Sequence, residues 1–324
     1  MELAGLLNYI VFFLTVAGIY AVLVLGLNIQ WGFTGQINIG VAAFFAVGAY
    51  TSAILTTAPS PDHLGGFGLP FLAGALAAMA IAAALGLFVA LITVNLRGDY
   101  LAIASIGIAE IVRLILKNEE WLTNGVRGIP AIPDPLSGLV QGSHPALFLL
   151  IVLIAVGLVY FAVERLFRSP WVRVLRAIRA NEEAVMASGK NVTRFRVEAF
   201  VLGSAIMGLG GALYAHFTSF ISPSAFEPMY GTFLVWVMLI AGGSGNNRGA
   251  LLGTFVIWLV WTGTEMFTSQ APEEWITRIS AIRIFLIGLI LEIILILRPR
   301  GLLPERPPRT PEADEKRRSG SSAE

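Results

Sequence analysis

Long apolar runs alternate along this chain with short connections that are polar or rich in glycine and proline. The runs are long enough to cross a hydrocarbon layer as helix, which takes about 20 residues at ~1.5 Å each. The pattern predicts spans near residues 9–27, 36–56, 70–95, 99–117, 147–167, 195–217, 230–242, 249–267 and 282–298. One connection departs from the others. S-P-W-V-R-V-L-R-A-I-R-A-N-E-E-A-V-M-A-S-G-K-N-V-T-R-F-R, Ser169 to Arg196, is charged where the flanking runs are apolar. Ser169 reads as an N-cap followed by proline at the first helical position, and Gly189 reads as a C-terminal cap, so a single helix from Pro170 to Ser188 is expected. Val172, Leu175, Ile178 and Met186 recur on one side, with Arg173, Arg176, Arg179, Glu182 and Glu183 on the others. That is the pattern of a helix lying along a membrane surface, with Trp171 suited to the interface. On spacing alone, a solvated loop whose arginines only fix orientation fits equally well.

Composition turns these runs into membrane spans. Hydrophobic residues make up 56% of the chain, charged residues 13%, and mean hydropathy is +0.75, far above the usual soluble mix. The expected fold is all-α: a polytopic membrane helix bundle of about eight or nine transmembrane spans. With no cysteine, disulfides and thiolate metal sites are excluded. The net charge of +1 says nothing about nucleic acid, because the basic residues are spread by topology rather than gathered into one face, and no nucleic-acid partner is expected. Lysine and arginine set the orientation. Eight lie within 165–196 and seven from 298 onward, so both places are expected in the cytoplasm, with four spans between them and the N-terminus on the periplasmic side. The first run has no basic n-region and no convincing cleavage site, and is read as a retained helix. One membrane domain is expected over 1–304, with the charged loop at 168–194 inside it. The proline-rich, charged stretch 305–324 reads as a disordered cytoplasmic tail.

Polar and small residues within the runs mark candidate sites. Asn28 to Tyr50 holds Gly32, Gly35 and Gly40 beside Gln36 and Asn38, amides that are costly in lipid unless they face protein or a water-filled path. Gly35, Gln36, Asn38 and Gly40 are therefore candidates for the translocation path, and close helix packing through small residues is the competing reading. Glu110 and Arg113, three apart on one helical face, are path candidates on the same ground, or else a structural ion pair. Residues 118–145 form a long external loop, with His63 and His144 read as surface groups. Gly203, Gly210 and Gly211 are placed for tight packing. Ala241 to Gly253 is glycine-rich, but no strand precedes it and no Lys-Ser/Thr pair follows, so it is not a phosphate loop. Paired with Gly32–Gly40, it is consistent with an inverted repeat around a pathway. An intramembrane enzyme would need convergent catalytic groups, which three scattered histidines and no cysteine do not supply. A membrane transporter of small solutes stands, with an ion-coupled secondary transporter as one alternative.

Several strings carry a family resemblance. E-A-V-M-A-S-G (Glu183–Gly189) resembles the E-A-A-x-x-x-G loop signature of permease subunits in bacterial ABC importers, Val185 departing from the second alanine. W-G-F-T-G-Q-I-N-I-G-V-A-A-F-F-A-V-G-A-Y (Trp31–Tyr50) is very similar to a stretch of the LivM-type permeases of branched-chain amino-acid importers, where many relatives have histidine at Val41. R-G-D-Y-L-A-I after Leu96, L-T-N-G-V-R-G-I-P and the terminal R-P-R-G-L resemble further elements of that family. The resemblance covers the chain to about residue 304. It implies a permease without cofactor in the bacterial inner membrane, moving branched-chain amino acids or a related small polar solute. It also implies that Arg176, Arg179, Glu182, Glu183, Ala184 and Gly189 serve coupling to an ATPase. The implied partners are a second, LivH-like permease in a heterodimer, two ATP-binding subunits, a periplasmic substrate-binding protein and membrane lipid.

Overall fold

The computed structural model describes residues 2–61, 63–93, 96, 98–135, 145–268 and 273–305 of the 324. The expectations for His144 and for the tail beyond residue 305 lie outside the described residues. Helices stand on each predicted span: α1 (Glu2–Leu27), α2 (Val41–Thr56), α3 (Phe71–Thr93), α4 (Gly98–Asn118), the short α5 (Glu120–Thr123), α6 (Pro145–Phe167), α7 (Pro170–Ala180), α8 (Glu182–Ala187), α9 (Val192–Thr218), α10 (Leu234–Gly242), α11 (Asn247–Thr268) and α12 (Glu273–Leu297). No strand forms among the described residues, and a single antiparallel bridge joins Ile129 to Ile221. In lipid every backbone donor and acceptor must be satisfied inside the segment, which is why apolarity of this length yields helix. Four described segments are long and apolar enough by themselves to cross a membrane: Gly5–Phe33, α3, α6 and α9; α2 and Met229–Gly242 are apolar but shorter.

The interior is built on α1 and α9 together with α2 and α10. The spans of α1 and α9 are 78% and 61% buried, against 33% for α3 and 22% for α6, and most residues of α2 and α10 are buried as well, while α3 and α6 present Leu72, Leu76, Phe88, Leu158 and Phe161 outward. Small residues let the backbones touch, as in bundles where lipid gives no hydrophobic drive to association. A Cβ on Gly211 of α9 would overlap the Phe45 carbonyl of α2 and lie 2.6 Å from Ala49 N, and one on Gly208 would lie 2.7 Å from the Ala78 carbonyl of α3. Gly203 meets α1 in the same way, at the Gly26 carbonyl.

The second span begins later than its apolar pattern predicts, at Val41 rather than 36. α1 widens into π-helical turns over Asn28–Phe33, then Gly35 at φ +75° turns the chain, and residues 35–40 run without regular structure. Only glycine holds that φ without strain. Asn38 Oδ1 accepts from Gly40 N at 2.8 Å, so the side chain takes a backbone donor that a helix would have used. Met229–Phe233 forms a second π-helical segment directly before α10.

The connections gather at two ends. At one, Leu64 N donates to the Trp121 carbonyl at 2.7 Å, Ile129 and Ile221 exchange bonds at 2.9 and 3.1 Å, and Ile132 N reaches the Ser219 carbonyl at 3.1 Å. At the other, Asn28 Nδ2 donates to Asn247 Oδ1 at 2.9 Å, Gly245 N to Asn28 Oδ1 at 2.8 Å and Asn247 Nδ2 to Glu164 Oε2 at 3.0 Å. The two glycine-rich stretches read as counterparts are thus tied together through Asn28.

Candidate functional site

Ser169 and Gly189 occupy the cap positions read from the sequence. Ser169 Oγ accepts from Val172 N, Pro170 starts α7, and Gly189 has φ +77°. The single helix expected from Pro170 to Ser188 is instead two. Asn181 leaves helical geometry at φ −158°, ψ 100° and its Oδ1 accepts from Ala184 N at 3.0 Å, capping a new helix. An internal asparagine that competes for backbone donors explains the break. Val172, Leu175 and Ile178 are buried as predicted, but Met186 is 51% exposed and Val185 is buried in its place, because the break rotates α8 out of the register of α7.

The charged residues of this element divide into two sets. Glu183, Ala184 and Gly189 are exposed. Glu182 pairs with Arg196 of α9 at 2.8 Å, and Trp171 Nε1 donates to Glu198 Oε2 at 2.8 Å, fastening the element to the base of α9. Arg176 and Arg179 turn back into the protein. Arg179 donates to the Gly32 carbonyl and to Glu305 Oε2. Arg176 meets Glu305 Oε1 at 2.7 Å and lies 4.2 Å over the Phe167 ring. Burial lowers the Arg176 pKa from its ordinary value, the Glu305 carboxylate opposing the shift and the like charge of Arg179 adding to it.

The amides of the broken segment are braced by protein. Asn38, fully buried, donates to Gln30 Oε1 at 2.8 Å; Gln30 Nε2 donates in turn to the Phe200 carbonyl at 2.8 Å and Ser204 Oγ at 3.2 Å. Trp236 Nε1 of α10 bonds the Asn38 carbonyl at 2.9 Å. Gln36 accepts from Thr34 at 3.1 Å beside a cavity of about 30 Å³ bordered by Thr93, Leu101 and Arg196. Gly35 lies against Arg179, where an added Cβ would be 3.0 Å from Cγ, and Gly40 against the Ser105 carbonyl of α4, at 2.5 Å. This arrangement favours the packing reading of Asn38. Asn38→Leu should lower stability by about 1–3 kcal/mol, because Gln30 Oε1 loses its donor inside the bundle, whereas Gln36→Leu should cost less than half of that. Thermal unfolding of the detergent-purified protein measures both; equal losses would contradict the assignment.

Glu110 and Arg113 sit in the wall of a groove. Arg113 bonds both Glu110 oxygens, at 2.5 and 2.9 Å, and the two side chains remain 42% and 24% exposed. The groove encloses about 680 Å³ between α4, the start of α2, the Met229–Ile240 segment and α12, and its wall is otherwise apolar: Ile39, Ile106, Met229, Phe233, Trp236 and Leu291. A second cavity of about 460 Å³ near the Phe220–Ser224 connection is aromatic, with Tyr20, Tyr214, Tyr230, Trp258 and Trp261.

Some residues of this architecture escaped the sequence reading. His63 is 9% exposed, not solvated, with Nδ1 3.0 Å from the Leu64 carbonyl. His216 is buried between Ser52 Oγ at 3.0 Å and the Pro133 carbonyl at 2.8 Å, joining α2, α9 and the connection that follows α5. Gln30 and Glu305 were also missed. For Gln30 the signal was present, an amide in an apolar run; for Glu305 there was none, since its partners are more than a hundred residues away.

Residues 9–295 match the profile of the family described as branched-chain amino acid transport system permease component. The chain is 31% identical to the high-affinity branched-chain amino acid transport system permease protein LivM of Salmonella typhimurium, over 90% of this chain and 69% of that protein. It is likewise 31% identical to the probable branched-chain amino acid transport permease protein LivM of Methanocaldococcus jannaschii, over 91% of this chain and 93% of that one. Similarity extends to LivH of Escherichia coli at 24% identity, over 89% and 92%. No solved structure matches the chain.

Proposed function

The chain belongs to the branched-chain amino acid transport system permease family, and from that premise we propose that it forms half of an ATP-driven import path for aliphatic amino acids. It is a permease component and not an enzyme. The observation that carries the substrate reading is the groove beside α4. One cation and one anion, spent on each other, stand in a wall that is otherwise apolar, the complement of a zwitterion with an aliphatic side chain. An ion pair left facing lipid would be costly, so this face is read as turned toward the path and a second permease. Similarity to both LivM and LivH supports a sister subunit of the same fold.

One of two ATP-binding subunits would then dock on the exposed Glu183–Gly189 face, the other on the sister permease, and a substrate-binding protein on the external loops that Ile129 and Ile221 tie together. The orientation follows from the basic residues, with α7 and α8 in the cytoplasm and the N-terminus outside. A membrane-impermeant thiol reagent on intact cells should label Glu120→Cys and spare Glu183→Cys; the opposite pattern would reverse the topology. The path itself is tested by ATP-driven leucine uptake into proteoliposomes holding the whole complex. Glu110→Gln and Arg113→Gln should each lower uptake about tenfold, near 1.4 kcal/mol in barrier, with normal amounts of protein in the membrane. Full uptake in both variants would return the pair to a purely structural role.

A further inference from the structure

The carboxylate of Glu305 lies where three separately built parts of the fold converge. The chain after α12 returns across the turn between α10 and α11: Leu302 N and Leu303 N donate to the Ala241 and Gly242 carbonyls at 2.9 Å each, and Asn246 Nδ2 holds the Leu303 and Pro304 carbonyls at 3.2 and 3.1 Å. The crossing requires glycine beneath it. Gly243 has φ +114°, and a Cβ there would overlap the Leu303 carbonyl. This strap delivers Glu305 to Arg176 and Arg179 of α7.

Arg179 carries the bridge onward. Its guanidinium bonds Glu305 with one nitrogen and the Gly32 carbonyl with another. The Gly32 carbonyl is open to such a donor because the helix ends there: the Gln36 N–H that an α-helix would bring to it bonds the Gln30 carbonyl instead, at 3.0 Å. The bridge therefore ends on the π-helical segment whose next residues, Gln36 to Gly40, lead to α2 and lie against α4 at Ser105. Trp31, Ser244, Leu295 and Arg300 also line the cavity of about 870 Å³ in which the carboxylate sits. Arg176, Arg179 and Arg300 face it, so Glu305 is the carboxylate that offsets their mutual repulsion there.

We propose that Glu305 is a positioning residue for coupling, a latch that holds Arg179 on the Gly32 carbonyl so that displacement of α7 is transmitted to the broken segment between α1 and α2. The proposal rests on the reading that α7 and α8 receive the ATPase. Without the carboxylate, Arg176 and Arg179 repel each other in a half-buried site, α7 loosens, and ATP hydrolysis proceeds without moving the broken segment.

Two readouts separate the latch from the docking it depends on. In the isolated permease, Ser244→Cys in this cysteine-free chain reports on the strap, and a maleimide should modify it several-fold faster when Glu305→Gln is added. In the reconstituted complex, Glu305→Gln should raise the ATP hydrolysed per leucine imported by about fivefold or more, as expected for loss of a typical coupling energy, while ATPase subunits still copurify. Glu305→Asp, which keeps a carboxylate facing both arginines, should hold the ratio near wild type, which a merely structural lesion would not do. Unchanged maleimide labelling overturns the latch, and faster labelling with an unchanged ratio overturns its role in coupling. Failure of the wild-type permease to bind ATPase strikes at the docking reading, and the labelling rate then decides the latch alone.

Discussion

Gly211→Val should remove this protein from the membrane. The side chain would enter the crossing of α2 and α9, where a Cβ already overlaps the Phe45 carbonyl and approaches Ala49 N at 2.6 Å, with Gly48 C at 3.1 Å. These are backbone atoms in the middle of a helix. No rotamer change relieves the overlap, so the helices must separate along a face that holds the aromatic pairs Phe44–Phe200 and Phe45–Tyr214. Overpacking a core that can adjust costs about 1–3 kcal/mol; a backbone clash between two central helices should exceed that range and consume much of a stability of ~5–15 kcal/mol. The expected result is at least a tenfold fall in membrane-inserted protein, read by quantitative blotting of washed membranes. Gly157→Val in α6 is the control, since a Cβ at Gly157 meets nothing within 4 Å. Equal amounts of the two variants would mean that the α2–α9 crossing is not a determinant of the fold.

Ala184→Arg should have its effect elsewhere, leaving the bundle intact and abolishing productive contact with the ATPase. Ala184 is exposed on α8 next to Glu183, and its side chain is not needed by the cap, which uses its backbone N–H. Added bulk and charge at this face should reduce copurified ATPase and substrate-stimulated hydrolysis by tenfold or more, with the permease itself at normal abundance. Gly189→Val should act in the same direction for a different reason. Nothing lies within 4 Å of a Cβ at Gly189, so space is not the constraint; φ +77° is, and a β-branched residue there costs on the order of 1 kcal/mol or more. Its consequence should be a displaced α8 rather than a lost helix. If both variants retain ATPase and transport at wild-type rates, the Ser169–Gly189 element has no part in coupling. Arg176 and Arg179 lie on the opposite, inward side, so substitutions there act through Glu305 and Gly32 and should not be grouped with those at Ala184.

The contrast between these residues separates what the sequence could tell from what it could not. Apolar run length placed the helices because lipid offers no partner to a backbone donor, so each segment must satisfy its own bonds locally. The caps at Ser169 and Gly189 were legible for the same reason: a side-chain oxygen or a missing Cβ acts on the two or three residues next to it. The break at Asn181 is also local, and the run Asn-Glu-Glu carried its signal, an N-cap followed by acidic residues in the first turn. Amphipathic spacing had suggested a continuous helix instead, and placed Met186 rather than Val185 on the buried side.

Other properties depend on residues far apart in the chain. Asn38 could be recognised as a polar residue that must avoid lipid, but only the packing of α1, α2 and α9 decided that it faces Gln30 rather than water. An arginine on an amphipathic helix can point to solvent, to lipid headgroups or inward with equal local propriety. Arg179 points inward because the π-helical segment after α1 leaves the Gly32 carbonyl open to it and because the chain after α12 comes back with Glu305. Covalent neighbours and the bilayer as solvent determined the elements and their order, since both act within a few residues. Which polar groups meet was decided only by the tertiary structure, because a hydrogen bond at 2.8 Å requires two backbones to be positioned by everything packed between them.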